Sequence, residues 1–206
     1  MTAVWNNFDD GSKSLEYYAD VMTALGAATA SRTDEIAAGL EKFAAISDTV
    51  GLSYEYATAA LATVTDKTRQ SAEVVGTAFK TMFARIQGLK LGETLEDGTD
   101  FNQYSEALLA VGVNIKDANG ELKDMDVLLT EMAKVWETLN RDEQVALAQK
   151  VAGVRQYSQL IALMDNWDFM EENISVARNS SGTLDKQAEI YAESWEAASQ
   201  RVKTAL

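Results

Sequence analysis

The chain has no proline, no cysteine and no histidine among its 206 residues. Without cysteine it can form no disulfide, thiolate nucleophile or cysteine-ligated metal centre of its own. Without histidine it lacks the usual general base near neutral pH, the Ser-His-Asp arrangement and the commonest transition-metal ligand. A chain of this length without proline favours long helices over sandwiches or looped β folds, which generally use it at turns and edges. No uncharged apolar run approaches the ~20 residues that span a bilayer. The opening "MTAVWNNFDDGSKSL" has neither a basic nor an apolar stretch of the kind found in a signal peptide, so none is expected.

What is present is acidic and apolar. Asp and Glu number 32 against 18 Lys and Arg, a net charge of -14, and 47% of residues are hydrophobic. That is enough apolar material for a sizeable core. The acidic excess is spread along the chain, with neither an acidic tail nor a basic patch. Direct binding to nucleic acid is not expected, because that affinity comes from clustered Lys and Arg.

Start and stop signals divide the chain into about nine helices. Ser12 or Ser14 opens the first, running to Gly26. Ser31 or Thr33 opens the second, with Ile36, Ala37, Leu40, Phe43, Ala44 and Ile46 inward and Gly51 closing it. Ser53 caps "YEYATAALATV". Thr68 or Ser71 opens a helix ended by Gly88, with Val75, Phe79, Met82, Phe83 and Ile86 as its apolar stripe. A short helix "NQYSEALLAV" ends at Gly112, and another spans Asp126 to Leu139. Asn140 and Glu143 form a capping box. After Gly153 one long helix covers "VRQYSQLIALMDNWDFMEENISVAR", and Thr183 caps the last. Abundant Ala, Gly, Ser and Thr predict close helix–helix packing.

The expected organisation is a helical half at 1–92, an acidic loop at 93–100, a hairpin-and-helix region at 101–182, and a terminal helix at 183–206 that starts a coiled-coil rod; residues 88–100, with three Gly and four acids, suit a mobile loop or hinge. The fold class is mainly α, with one small β-hairpin near 113–123. In "GVNIKDANGELKDMDVLL" a calcium-loop reading from Asp117 fails, since Gly120 falls at the fourth place instead of the sixth and Leu128 stands where a Glu ligand is needed. Asn119-Gly120 instead reads as a hairpin turn that uses positive φ.

No catalytic, cofactor-binding or metal-binding residue is indicated. Glu171 with Glu172, and Asp165 with Asp168, read as solvated helix faces. "GTAFK" at 76–80 lacks the phosphate-loop spacing. Trp5, Trp136, Trp167 and Trp195 read as packing anchors. In the last helix Leu184, Ala188, Tyr191, Trp195, Ala198, Val202 and Ala205 alternate steps of four and three, the period of a coiled-coil seam. Such a stripe packs either on the domain's own core or against another helix. Taken by composition alone, the chain also suits an acidic helical adaptor or a DNA-mimic inhibitor of a basic protein, which would require its carboxylates grouped on one surface.

The run "YYADVMTALGAATASRTDEIAAGLEKFAAISDTVGLSYEYATAALATVTDKTRQSAEVVGTAFKTMFARIQG" resembles the conserved core region of phage tail tape measure proteins. The resemblance lies in the Gly51-Leu52-Ser53 step, the Gly76-Thr77-Ala78 step and the Met82 to Arg85 segment. It continues in order through "LLAVGVNIKDANGELKDMDVLLTEMAKVW" and "VAGVRQYSQLIALMDNWD". It implies one segment of a long, largely helical, non-enzymatic scaffold in the lumen of a phage tail, setting tail length and taking part in genome delivery. The partners implied are tail tube and tail tip proteins and tail assembly chaperones; the seam of the last helix adds sister copies through a coiled coil. The location implied is the virion, with host cytoplasm during assembly.

Overall fold

The computed structural model describes residues 2–9, 11–29 and 31–205; the side chains of residues 2, 3, 196, 197 and 199–205 fall outside that description. The fold is mainly helical. Its helices are α1 (Thr2–Phe8), α2 (Leu15–Ala28), α3 (Thr33–Ser47), α4 (Tyr54–Thr68), α5 (Ala72–Lys90), α6 (Phe101–Ala110), α7 (Met125–Trp136), α8 (Arg141–Ala152), α9 (Tyr157–Met164), α10 (Trp167–Arg178) and α11 (Thr183–Ala205), with a 3-10 turn at Asp48–Val50 between α3 and α4.

Helix α4 is the centre of the molecule. Every residue from Tyr56 to Val64 is buried, and the helix touches α2, α3, α5, α9 and α10. A helix apolar on all sides belongs inside a core, and its alternation of Ala and Thr keeps it thin enough for neighbours to close around it. Thr58 donates to the Tyr54 carbonyl at 2.7 Å and Thr63 accepts the buried Asn173 amide at 2.9 Å, while the buried Thr65 hydroxyl has no hydrogen-bond partner among the described residues. Buried side chains from Val4 to Ala177 form one continuous core around it.

Helices α3 and α5 cross with almost nothing between them. A Cβ on Gly76 would lie 2.2 Å from the Gly39 carbonyl oxygen, and one on Gly39 would lie 2.6 Å from that of Ala72. Glycine is required because backbone meets backbone. Just beyond the crossing, Phe43 meets Phe79 edge-on at 5.5 Å.

Two helices exceed the nine expected. Helix α1 is too short to announce itself by periodicity; it is held by Val4, which is 1% exposed, and by the Tyr18 hydroxyl donating to the Phe8 carbonyl at 2.9 Å. The expected long helix after Gly153 is broken at Asp165–Asn166. There the Asn166 amide donates back to the Ala162 carbonyl at 2.8 Å, and Asp165 accepts the Trp136 indole N–H at 2.7 Å.

The expected β-hairpin at 113–123 does not form. Among the described residues there are no strands, and Lys116 and Leu122 make a single isolated antiparallel bridge. The turn itself is real: Gly120 N–H closes onto the Asp117 carbonyl at 3.1 Å with Gly120 at φ +83°. Asn119 keeps an ordinary negative φ, and the Asp117 carboxylate holds the turn by accepting Asn119 and Glu121 N–H groups, each at 2.9 Å. The arms are too short to pair further, because Val113 and Ile115 are drawn into the core and Asp124 already caps α7.

The acidic loop at 93–100 is tied to the body. Arg85 of α5 pairs with Asp97 at 2.8 Å and donates to Thr99 Oγ1 at 3.2 Å and to the Lys150 carbonyl at 3.3 Å. Burial alone would push the Asp97 carboxyl up, but the Arg85 guanidinium and the Thr99 hydrogen bonds outweigh it and hold it lowered to about 2.

Candidate functional site

The sequence left one feature open for function, the seam of the last helix, and the structure seats its start with care. Gly182 turns the chain at φ +75°. The carboxylate of Asp20 on α2, only 3% exposed, then accepts the N–H groups of Gly182 and Leu184, each at 2.8 Å. An anion at a helix N-terminus satisfies orphan donors and meets the positive end of the dipole. Thr183 was expected to cap this helix. It is instead the first helical residue, its hydroxyl donating to the Ser180 carbonyl at 2.5 Å. Nothing in the spacing of Asp20 announces this role, since its partners lie more than 160 positions away.

Beyond this anchor the seam faces solvent. Leu184 is 39% exposed, Tyr191 73% and Trp195 79%, with Ile190 beside them at 54%. Ala188 and Ala198 are exposed as well; the side chains of Val202 and Ala205 lie outside the described residues. On heptad lettering the seam is flanked by Asp185, Gln187, Ala192, Ser194 and, further on, Arg201, while Lys186, Glu189 and Glu193 fall on the opposite side. Gln187 and Tyr191 also edge an open groove of about 760 Å³ against α2 and α3, floored by Gly26, Ala27, Ala37 and Ala38. Of the four tryptophans, Trp136 alone is fully buried, and Trp195 anchors nothing within the described fold.

The residues with candidate chemistry are occupied structurally. Asp165 accepts Trp136 and pairs with Arg141 at 3.2 Å, and Glu171 accepts the Trp167 indole N–H at 3.2 Å. Glu172 and Asp168 are exposed. Of the buried tyrosines, Tyr54 donates its hydroxyl to the Tyr18 carbonyl at 2.6 Å, with burial raising its pKa beyond the ordinary phenol range, while the Tyr104 hydroxyl is buried without a hydrogen-bond partner among the described residues. Asn119 and Gly120 shape an exposed turn that Lys123 fastens to α7 through Glu131 at 2.7 Å. Among the described residues no three or more Asp or Glu converge as metal ligands, and no helix is long and apolar enough to cross a membrane.

No solved structure matches this chain. The family model for phage-related minor tail proteins matches residues 1–153, from α1 through α8 to Gly153. That is most of the chain, and it belongs to the phage-related minor tail protein family.

Proposed function

We propose that this minor tail protein chain is a segment of a tail tape measure protein: a non-catalytic scaffold in the tail lumen that sets tail length and takes part in genome delivery. Its partners in this role are tail tube and tail tip proteins, tail assembly chaperones in the host cytoplasm, and sister copies joined along Leu184, Ala188, Tyr191, Trp195, Ala198 and Val202. The observation that carries the reading is α11, a 23-residue helix fixed at its start by Asp20 and presenting Trp195 at 79% exposure on a 3.5-residue repeat. A long rod built from such helices measures length directly, because each helical residue adds about 1.5 Å. The scattered acidic charge supports passage alongside DNA, since no Lys/Arg cluster is present to hold a phosphate backbone.

Protease accessibility tests the location. In purified intact virions the chain should resist added protease and become cleavable once ejection is triggered. Digestion in intact particles, at the rate seen for the free protein, would place it outside the lumen.

A further inference from the structure

Asp126 lies where the start of α7 meets the turn that opens α4, and its partner there, Ser53, is 73 positions away in sequence. Its two carboxylate oxygens accept the Ser53 N–H at 3.2 and 3.3 Å, and its own N–H donates to the Gly51 carbonyl at 3.3 Å. One turn along, the Thr130 hydroxyl donates to the Asp126 carbonyl at 2.7 Å and meets the Tyr56 hydroxyl at 2.8 Å. Asp124 packs against the same turn: a Cβ on Gly51 would lie 2.2 Å from its Oδ1.

The charged groups that act on Asp126 itself are acidic. Glu55 of α4 and Asp124 at the cap of α7 both act on Asp126. Lys90 of α5 acts on Asp124, the Tyr17 hydroxyl of α2 donates to the Glu55 carboxylate, and Glu171 and Arg178 of α10 act on Tyr56. Among the described residues no Lys or Arg forms an ion pair with Asp124, Asp126 or Glu55. With no ion-pair partner among the described residues, proton uptake is a way to discharge one of the three without a counter-ion.

We propose that the Asp126 carboxyl is a proton-operated latch between α4 and α7: proton uptake discharges one member of the Glu55, Asp124 and Asp126 group and tightens the docking of α7 on α4. Burial pushes the Asp126 carboxyl up, the Ser53 hydrogen bonds oppose it, and Asp124 and Glu55 push it further, to about 6. A carboxyl raised in the folded state above its unfolded value of about 3.9 binds its proton more tightly when folded. Its stabilisation is complete at acid pH and lost as the pH rises through about 6. The latch is independent of the tail assignment.

Carboxyl-carbon NMR on the unaltered protein reads the group directly. Asp126 should titrate near pH 6, and its midpoint should fall in Asp124→Asn and in Glu55→Gln. In urea unfolding, Asp126→Asn should raise the folding constant relative to the native chain by about tenfold more near pH 7.5 than near pH 4.5. A midpoint near 4 in the unaltered protein, or an Asp126→Asn effect independent of pH, overturns the latch.

Discussion

A methyl group added at Gly76 would meet the Gly39 carbonyl oxygen at 2.2 Å, a contact with backbone that no side-chain rotation relieves. In an exposed helix Gly→Ala usually gains up to about 1 kcal/mol; here the helices must separate, and Gly76→Ala should cost about 2 kcal/mol by urea unfolding. A gain in stability would show that α3 and α5 are further apart than described. Gly120 is the opposite case: a Cβ there has open space, but φ is +83°. Gly120→Val should still cost more than about 1 kcal/mol, from backbone strain alone, and an unchanged melting temperature would contradict that turn geometry. Asp97 supplies a charge-based counterpart. Its carboxyl is lowered to about 2, so its stabilisation is present above about pH 4 and lost as the pH falls through 2. Its side chain is 34% exposed, which screens the pair with Arg85. Asp97→Asn should therefore cost about 1 kcal/mol near pH 7, and that cost should vanish in strong acid. A cost that persists unchanged near pH 2 would assign the residue a purely packing role.

At the scale of elements, α11 packs on α2 and its start is fixed by one buried carboxylate, that of Asp20. Asp20→Ala strips the caps from Gly182 and Leu184 and should cost about 2 kcal/mol, concentrated at this helix. Hydrogen exchange would show faster amides from Gly182 through Lys186 with the α4 core unchanged; uniform exchange across the chain would mean that the carboxylate is a global core contact instead. Much of the element layout was legible in the sequence because it is coded locally. Ser14, Ser71 and Asn140 sit at N-caps and accept backbone N–H groups as their residue types suggest, and Gly51 and Gly153 take positive φ at helix ends. The α5 stripe of Val75, Phe79, Met82, Phe83 and Ile86 is buried throughout. What was illegible depends on contacts between distant positions. The Asp20 cap of α11, the Gly39–Gly76 crossing and the Ser53–Asp126 contact leave no periodic trace. The break at Asn166 turns on one side-chain amide, and the hairpin expected at 113–123 shrank to a turn because the core claimed its arms. Of the candidate site, the apolar spacing on α11 is in the sequence, while the exposure of Leu184, Tyr191 and Trp195 required knowing which face α2 covers.

At the scale of the whole molecule, a helical body with one continuous core carries an exposed apolar stripe that leaves it on α11. Few heptads are free, so the 206-residue chain should be monomeric in light scattering, and a chain lengthened at its C-terminus along the same repeat should associate. Trp195→Ser together with Tyr191→Ser should abolish that association without lowering the melting temperature of the body. A lengthened chain that stays monomeric at high concentration would make the stripe an isolated surface and remove sister copies from the partners. The central claim, that the protein measures tail length, is tested most directly by a series of in-frame deletions in extended helical regions of the parent gene, with tail length read from negative-stain images. The account predicts tails shortened in proportion, by about 1.5 Å for each residue removed. Tails of unchanged length across the series would contradict it.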